Sequence, residues 1–244
     1  MRLLLIFLKE PIPGQVKTRL ASDVGNDNAA RYYKALVEVL LRQLQGLNHC
    51  RIRFCHSPDD AGDAVRFWLL PEMRATAGPT EDVFLAPSSQ LPTPPTQEVD
   101  FRAQRQGDTG SRLERAFAEG FNDGFSEIAA IGSDCPDCGA RWINAAFSRL
   151  AAKTSRHAII GPNTRGGYYL LALKAHAPQL FDRIPWNQSN VLEATLSAAQ
   201  SDETPLTTEL LPELRDVDNL NDWQHINKSP LGAALKKALG ETIS

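Results

Sequence analysis

Three cations in one N-terminal loop, Lys9, Lys17 and Arg19, are the side chains that most suggest chemistry. The loop begins where an apolar run ends, and its two prolines and Gly14 are incompatible with a helix or a long strand. The chain becomes helical directly after Lys17, so free backbone N–H groups lie near the cations, and this combination predicts a phosphate site. It is not a P-loop, because that motif needs a glycine directly before the lysine and another five residues earlier, and neither is present. Alternatively, the cations are solvated charges on a tight turn.

A second candidate is Asp134, which follows the apolar run 128–132. Such a run predicts a buried strand, and ligands of an open parallel sheet bind beyond the carboxyl ends of its strands. Asp134 is therefore expected to face the same crevice as Lys17. A carboxylate opposite a phosphate site suggests Mg²⁺, which takes one or two carboxylates and completes its shell with water and phosphate oxygens. Alternatively, Asp134 or Asp137 caps a helix predicted over 140–152.

Two later segments carry further polar groups. Gly166 and Gly167 follow Arg165 between two predicted strands, and paired glycines either let the backbone approach a ligand or allow a sharp reversal. Segment 215–223, RDVDNLNDW, places three acidic residues at the start of a predicted helix. Capping explains one or two of these carboxylates, and a second metal ligand would explain another.

Four cysteines raise the question of zinc or redox chemistry. Cys135 and Cys138 form a CxxC motif, and Cys50 with Cys55 would supply the other half of a zinc site. Against this, Cys50 and Cys55 bracket a predicted strand that points them away from each other or along a core. The alternative is four free or buried thiols in a reducing compartment.

The whole-chain composition narrows the class of protein. In 244 residues the formal net charge is −3, and Lys and Arg are scattered among Asp and Glu, so neither a nucleic acid nor a membrane surface is indicated as a partner. The first apolar run has six residues, fewer than a signal peptide needs, and no run reaches the roughly 18 residues of a membrane span. We expect a soluble, cytoplasmic protein.

Short apolar runs alternate with segments of helical periodicity, which predicts an α/β protein with a doubly wound, mostly parallel sheet. Strands are predicted at 3–8, 51–55, 101–104, 128–132, 157–162 and 168–173, and the clearest helices at 26–44, 140–152 and 231–239. The first helix would be capped by Asn26 or Asp27. Residues 75–100 are rich in proline and predict an extended surface loop, as decoration or as a lid over the site.

Several segments in order resemble a known family. They are KEPIPGQVKTRL at 9–20, QGDTGSR at 106–112, GSDCPD at 132–137, GPNTRGGYYL at 161–170, PW at 185–186 and DVD at 216–218. Together they resemble a poorly characterised bacterial family with the glycosyltransferase-A, or nucleotide-diphospho-sugar transferase, fold, related to 2-phospholactate guanylyltransferase. The resemblance spans residues 1–223. It implies one Rossmann-like domain over 1–227, with a C-terminal helix in 228–244 packed on it.

The resemblance also implies a nucleotide site and a metal site. Lys17 and Arg19 would contact the nucleotide phosphates, and Asp134 would hold Mg²⁺ or Mn²⁺, with Asp216 or Asp218 completing the metal site. Lys17 and Asp134 would be the catalytic residues. The full set of nucleotide-binding candidates is Lys9, Gly14, Lys17, Thr18, Arg19, Arg112, Arg165, Gly166 and Gly167.

One position departs from the family pattern. Members usually carry Asp immediately before Gly-Gly-Tyr, whereas this chain has Arg165. A guanidinium inverts the charge near the expected metal and supplies a rigid fork for phosphate. Loss of activity is therefore an alternative for this chain.

Three functions follow as expectations. The first is metal-dependent nucleotidyl transfer from a nucleoside triphosphate to a small phosphorylated acceptor, in which positioning and charge neutralisation do most of the work. The second is glycosyl transfer from a nucleotide sugar. The third is a nucleotide-binding protein of the same fold without catalysis.

Overall fold

A single sheet organises the part of the chain that the computed structural model describes, residues 1–47, 49–76, 98–200 and 204–241. Its strands are β1 (Arg2–Lys9), β2 (Cys50–Ser57), β3 (Val99–Ala103), β4 (Glu127–Gly132), β5 (His157–Pro162), β6 (Tyr168–Leu173) and β7 (Thr207–Leu210). The helices are α1 (Thr18–Val24), α2 (Asn26–Gln43), α3 (Gly62–Thr76), α4 (Thr109–Asn122), α5 (Ala140–Ala151), α6 (Val191–Ala199), α7 (Leu220–Asn227) and α8 (Gly232–Leu239), with a 3₁₀ turn at Pro178–Leu180.

The strands lie in the order β3-β2-β1-β4-β6-β5-β7. Neighbouring strands are parallel except that β6 runs antiparallel to both β4 and β5. This mixed α/β sheet flanked by helices confirms the predicted fold class. Because β1 and β4 are adjacent and parallel, the loops that follow them emerge side by side.

Apolar side chains of β1 pack on both faces of the sheet. Leu4 and Ile6 contact one apolar cluster, which α2, α3 and α5 cover, whereas Leu3 and Leu5 contact the opposite cluster under α4 and α6. Two buried faces explain why the strand is a continuous apolar run instead of an alternating pattern. On the outer side of α2, Leu235 of α8 joins a third cluster with residues of α7. The division of the chain at residue 227 stays a prediction.

Two capping predictions are wrong. Gly25, with φ of +81°, is the N-cap of α2, so neither Asn26 nor Asp27 caps that helix. Gly139 is the N-cap of α5 and its neighbours form a separate turn, in which the Cys138 N–H donates to the Cys135 carbonyl. This turn places Asp134 several residues before the helix, where its side chain cannot reach the first N–H groups.

The cysteines lie in the core. Cys50 packs in the cluster on one face of the sheet and Cys55 in the cluster on the other, so they cannot form half of one site. All four are free and buried, and burial raises the thiol pKa of Cys50 and of Cys55 to about 12. Burial also raises the pKa of Cys135 and Cys138 far above the ordinary value.

The predicted surface loop at 75–100 falls mostly on residues 77–97, outside the described residues. Across the described ranges, we find no helix with the length and apolar character needed to cross a membrane.

Candidate active site

Lys17 and Asp134 meet where β1 and β4 end. The Lys17 ammonium lies 2.8 Å from Asp134 Oδ1 and also donates to the carbonyl of Val217. The Lys17 side chain is 4% exposed, whereas that of Asp134 is 51% exposed. Lys17 is therefore held from two sides, while its carboxylate partner faces open space.

The backbone of Lys17 is strained. Lys17 is the N-cap of α1 and has φ of +49°, in the left-handed region that costs a residue with a Cβ about 1–2 kcal/mol. The ion pair with Asp134 and the bond to Val217 are contacts that hold this conformation. Strain of this kind is common at functional sites.

The backbone before Asp134 is fixed by a buried hydroxyl pair. Tyr33 of α2 accepts a hydrogen bond of 2.8 Å from the Lys9 amide, and its hydroxyl lies 2.9 Å from Ser133 Oγ. Burial, with a smaller contribution from the charge of Asp134, raises the pKa of Tyr33 far above its usual value. Tyr33 thus stays a neutral phenol that ties the end of β1 to the residue before Asp134.

The acidic segment 216–218 lies against Asp134 from the other side. The Val217 N–H donates to the Asp134 carbonyl over 2.8 Å. Asp216 is partly buried and accepts a hydrogen bond from Asn163 Nδ2. Burial and the nearby charge of Asp134 raise the pKa of Asp216 to about 6, although Lys17 opposes this shift. Asp216 and Asp134 therefore place two neighbouring carboxylates beside one lysine.

Asp218 and Arg19 form an exposed pair at the rim, with 2.5 Å between Asp218 Oδ2 and Arg19 Nη1. The guanidinium of Arg19 is 73% exposed. Surface pairs of this kind contribute little to stability. Arg19 is thus occupied by a carboxylate at the edge of the site.

Arg165 is anchored by Asp222 through one nitrogen of its guanidinium, and its Nε has no hydrogen-bond partner among the described residues. Its guanidinium donates to one Asp222 oxygen, and Arg215 lies 3.6 Å from the other. Asp222 also accepts the N–H groups of Asp218 and Asn219 at the start of α7, where Asn219 and Asp222 form a capping box. Burial alone would raise the pKa of Asp222, but these hydrogen bonds and Arg165 outweigh burial and lower it.

Gly166 and Gly167 serve different local purposes. Gly166 has φ of +79°, and a Cβ there would lie 1.7 Å from the carbonyl oxygen of Ser189, so close packing against the 185–190 loop requires glycine. The N–H of Gly167 donates to Asn163 Oδ1, which also accepts the Arg165 N–H. The glycine pair therefore shapes a tight loop around Asn163.

Two adjoining cavities open at this edge of the sheet. The first, which we call the cationic cavity, measures about 490 Å³ and is lined by the charged side chains Lys9, Lys17, Arg112, Asp134 and Asp218, together with Thr18, Tyr33 and Gln104. The second, which we call the aromatic cavity, measures about 400 Å³ and is lined by Phe7, Leu113, Tyr168 and Trp186, with Asn163, Arg165 and Gly167 among its polar or small residues. Asp134 lies on the wall that the two cavities share.

Arg112 is oriented by its own loop. Its Nε donates to the carbonyl of Gly107 over 2.9 Å, and its Nη1 lies 3.4 Å from the side-chain oxygen of Gln104. Asp108 is the N-cap of α4 and accepts the Ser111 N–H. The cation stays at the wall of the cationic cavity.

The structure thus brings most of the predicted residues to one place. Lys9, Lys17, Thr18, Arg112, Asp134 and Asp218 line the cationic cavity, and Arg165 and Gly167 line the aromatic cavity beside Asp134. Gly14, Arg19, Gly166 and Asp216 are not among the residues that line these two cavities. Sequence reasoning missed Tyr33, which reads as an apolar helix position, and Asn163. The proximity of Asn163 to the glycine pair was the available signal.

Comparison with known proteins assigns the family. Residues 40–188 match the model of DUF2064, described as an uncharacterized protein conserved in bacteria. The chain belongs to this family. No curated protein matches this DUF2064 chain.

Solved structures extend the comparison. A provisionally named nucleotide-diphospho-sugar transferase from Desulfovibrio desulfuricans G20 is 30% identical to the DUF2064 chain, with a TM-score of 0.74, and the match covers 98% of this chain and 96% of that one. A cytidylyltransferase from Leptospira borgpetersenii serovar Hardjo-bovis is 12% identical, with a TM-score of 0.51 and coverage of 95% and 87%. Glucosyl-3-phosphoglycerate synthase from Mycobacterium tuberculosis, solved with Mn²⁺, UDP and glucosyl-3-phosphoglycerate, is 9% identical, with a TM-score of 0.51 and coverage of 100% and 81%. The last two likenesses establish the fold alone.

The candidate site offers few protein ligands for a divalent metal ion. The described residues contain no group of three or more His, Cys, Asp or Glu side chains placed to hold a metal ion. Lys17 contacts one oxygen of Asp134, whose side chain is half exposed on the shared wall. The carboxylate of Asp216 is near enough to repel the carboxylate of Asp134. One exposed carboxylate suits Mg²⁺ when phosphate and water oxygens supply the remaining ligands. Asp216 accepts a hydrogen bond from Asn163 on one carboxylate oxygen and Asp218 pairs with Arg19 through one, so each keeps a second oxygen, and their roles as metal ligands stay predictions.

Proposed function

We propose that this protein is a transferase that binds a nucleoside triphosphate in the cationic cavity and transfers the nucleotidyl group to a small phosphorylated acceptor in the aromatic cavity. The names of the structural neighbours, which include a nucleotidyltransferase and a glycosyltransferase, and the UDP bound to the latter support a nucleotide-dependent transferase without separating the two reactions. The likeness to 2-phospholactate guanylyltransferase, the use of Mg²⁺ or Mn²⁺ and a cytoplasmic location stay predictions.

The observation that carries the proposal is the convergence of three cations on one cavity. Lys9, Lys17 and Arg112 line the same space, with Asp134 at its edge. A triphosphate carries about four negative charges at neutral pH, and three cations with one divalent ion would balance these charges together with that of Asp134. Electrostatic stabilisation and positioning are the main tools of phosphoryl chemistry.

The reaction follows from the two-cavity geometry. An acceptor phosphate oxygen, placed at the shared wall, attacks the α-phosphorus of the triphosphate. The bond from the α-phosphorus to the bridging oxygen breaks, and pyrophosphate leaves with the electron pair. Lys17 stabilises the charge on the leaving group from its buried position, and Lys9 and Arg112 orient the phosphates. A metal bound at Asp134 would add Lewis-acid stabilisation of the phosphate oxygens.

A second candidate, glycosyl transfer from a nucleotide sugar, is favoured by the aromatic cavity. Among the residues described as lining that cavity, Arg165 is the one cation, and it is already paired with Asp222. A neutral alcohol with an apolar body would suit the interior of this cavity better than a phosphate. In this reaction a nucleoside diphosphate leaves.

The first test is thermal unfolding of the full chain against nucleoside triphosphates, diphosphates and nucleotide sugars, each with and without Mg²⁺. A ligand present at about 100 times its dissociation constant adds about 2.7 kcal/mol of stability. The triphosphate that stabilises best is then incubated with acceptors, and released pyrophosphate is measured. Stabilisation by nucleotide sugars alone, with nucleoside diphosphate as the product, would replace the first candidate by the second. No stabilisation by any nucleotide would refute both.

A further inference from the structure

We infer that the aromatic cavity selects an acceptor with a small aromatic or other apolar ring and rejects a polyhydroxylated sugar. Its role as the acceptor site rests on the proposed function. The selectivity itself follows from the walls of the cavity.

The walls of the aromatic cavity are largely apolar and include the ring of Trp186. Phe7, Leu113 and Trp186 line the cavity and pack against the apolar cluster on this side of the sheet. The Trp186 ring meets the Tyr168 ring edge-to-face, with 6.1 Å between centroids. A flat apolar ligand placed here would bury area worth about 25 cal/mol per Å².

Several polar groups of the walls already have hydrogen-bond partners. Asn163 makes three hydrogen bonds, one to Asp216 and two from backbone N–H groups of its own loop. The indole N–H of Trp186 lies 3.4 Å from the Phe181 carbonyl, and the Tyr169 hydroxyl donates to the Pro212 carbonyl. The Tyr168 hydroxyl has no hydrogen-bond partner among the described residues, but it is buried from water. Most of the hydroxyls of a sugar brought against these walls would lose water and gain few partners, which is costly.

Apart from Asn163, the charged and amide side chains that line the cavity are Asp134, Arg165 and Gln188. All three are at least partly exposed to solvent. These groups can serve one charged substituent but not a ring of hydroxyls. The phosphate of an acceptor would therefore stay at the shared wall, next to the donor, while its ring contacts Trp186.

The wall that contains Trp186 is held in place by close packing before any ligand binds. A Cβ on Gly110 would lie 2.2 Å from the indole nitrogen of Trp186, so α4 packs directly on that ring. Gly166 packs equally closely on the Ser189 carbonyl, and its own carbonyl accepts the Leu192 N–H over 2.8 Å. The loop that carries Trp186 is thus held at both ends, and little ordering is needed when a ligand binds.

The test compares phenyl phosphate with glucose 1-phosphate, two monoesters that differ in the ring they carry. Calorimetric titration of the full chain, without nucleotide, should show at least tenfold tighter binding of phenyl phosphate. Trp186→Ala should remove the difference, Trp186→Phe should keep most of it, and Leu113→Gln should reduce it. Circular dichroism and thermal unfolding verify the fold of each variant, and the two milder substitutions decide the case if Trp186→Ala does not fold.

Equal binding of the two esters, a preference for glucose 1-phosphate, or a phenyl preference that survives every folded variant would overturn the inference. Lys17→Ala separates this result from the proposed function. It should weaken nucleotide binding and leave the ratio between the two esters unchanged, so that loss of nucleotide binding and loss of ring selectivity are observed independently.

Discussion

Replacing Lys17 with Met tests the centre of the proposed site. The Lys17 ammonium has three donors, of which one binds the Val217 carbonyl and one faces Asp134, so one is left for a phosphate. A hydrogen bond to a charged group contributes about 1.5–3 kcal/mol, and each 1.4 kcal/mol is tenfold in affinity. We expect Lys17→Met to raise the dissociation constant for the best triphosphate by about 10- to 150-fold.

The same substitution should also destabilise the protein. It leaves the Val217 carbonyl without its donor, which costs about 1–3 kcal/mol, whereas loss of the ion pair adds little because Asp134 is half exposed. Urea unfolding measures this change. Lys237→Ala, an exposed lysine of α8, is the charge control and should alter stability by less than about 0.5 kcal/mol.

Calorimetric titration with the triphosphate measures the dissociation constant that decides this prediction. If the Lys17→Met protein is folded and its dissociation constant lies within twofold of the parent value, Lys17 does not contact the nucleotide. The cationic cavity would then not be the phosphate site.

Three further predictions concern residues around the site. Tyr33→Phe leaves the Lys9 amide without its acceptor and should lower the free energy of unfolding in urea by about 1–3 kcal/mol. Because the pKa of Asp216 is raised to about 6, the folded protein holds a proton that the unfolded chain loses near pH 4. The free energy of unfolding should therefore fall by up to about 3 kcal/mol as pH rises from about 4 to about 6. Asp216→Asn should flatten this pH dependence in metal-free buffer. Gly166→Ala should cost more than about 2 kcal/mol in urea unfolding, whereas Gly124→Ala, with φ of +89° and no atom within 4 Å, should cost about 1–2 kcal/mol.

Each of these has its own contradicting result. Unchanged stability of Tyr33→Phe would show that water satisfies the freed amide. The same pH dependence in the Asp216→Asn and parent proteins would assign the titration to another group. Equal costs for the alanines at Gly166 and Gly124 would show that the backbone angle matters and the close contact does not.

The sheet and the central pair were predictable from the sequence for a physical reason. Apolar runs at β1 and β4 required burial on both faces, and parallel strands deliver their following loops to one edge, so Lys17 and Asp134 had to be near each other. The direction of β6 was not specified by its composition, because an apolar run buried on both faces looks the same in either orientation.

Side-chain partners were harder to predict. Arg165 looked like a free cation because the sequence does not show that it forms an ion pair with Asp222, 57 residues later. Tyr33 looked like a core residue, because a buried phenol differs from a buried Phe only when a partner for its hydroxyl is known. Such contacts depend on loop geometry, which local patterns do not encode.

The bond between Lys17 and Val217 joins positions 200 residues apart in the chain. At a synthesis rate of about 5–20 residues per second, roughly 10–40 seconds pass on the ribosome between the two. Throughout that interval the lysine lacks its carbonyl partner, and the left-handed turn at α1 lacks one of its supports. The candidate site is therefore completed late in synthesis, after most of the sheet has been made.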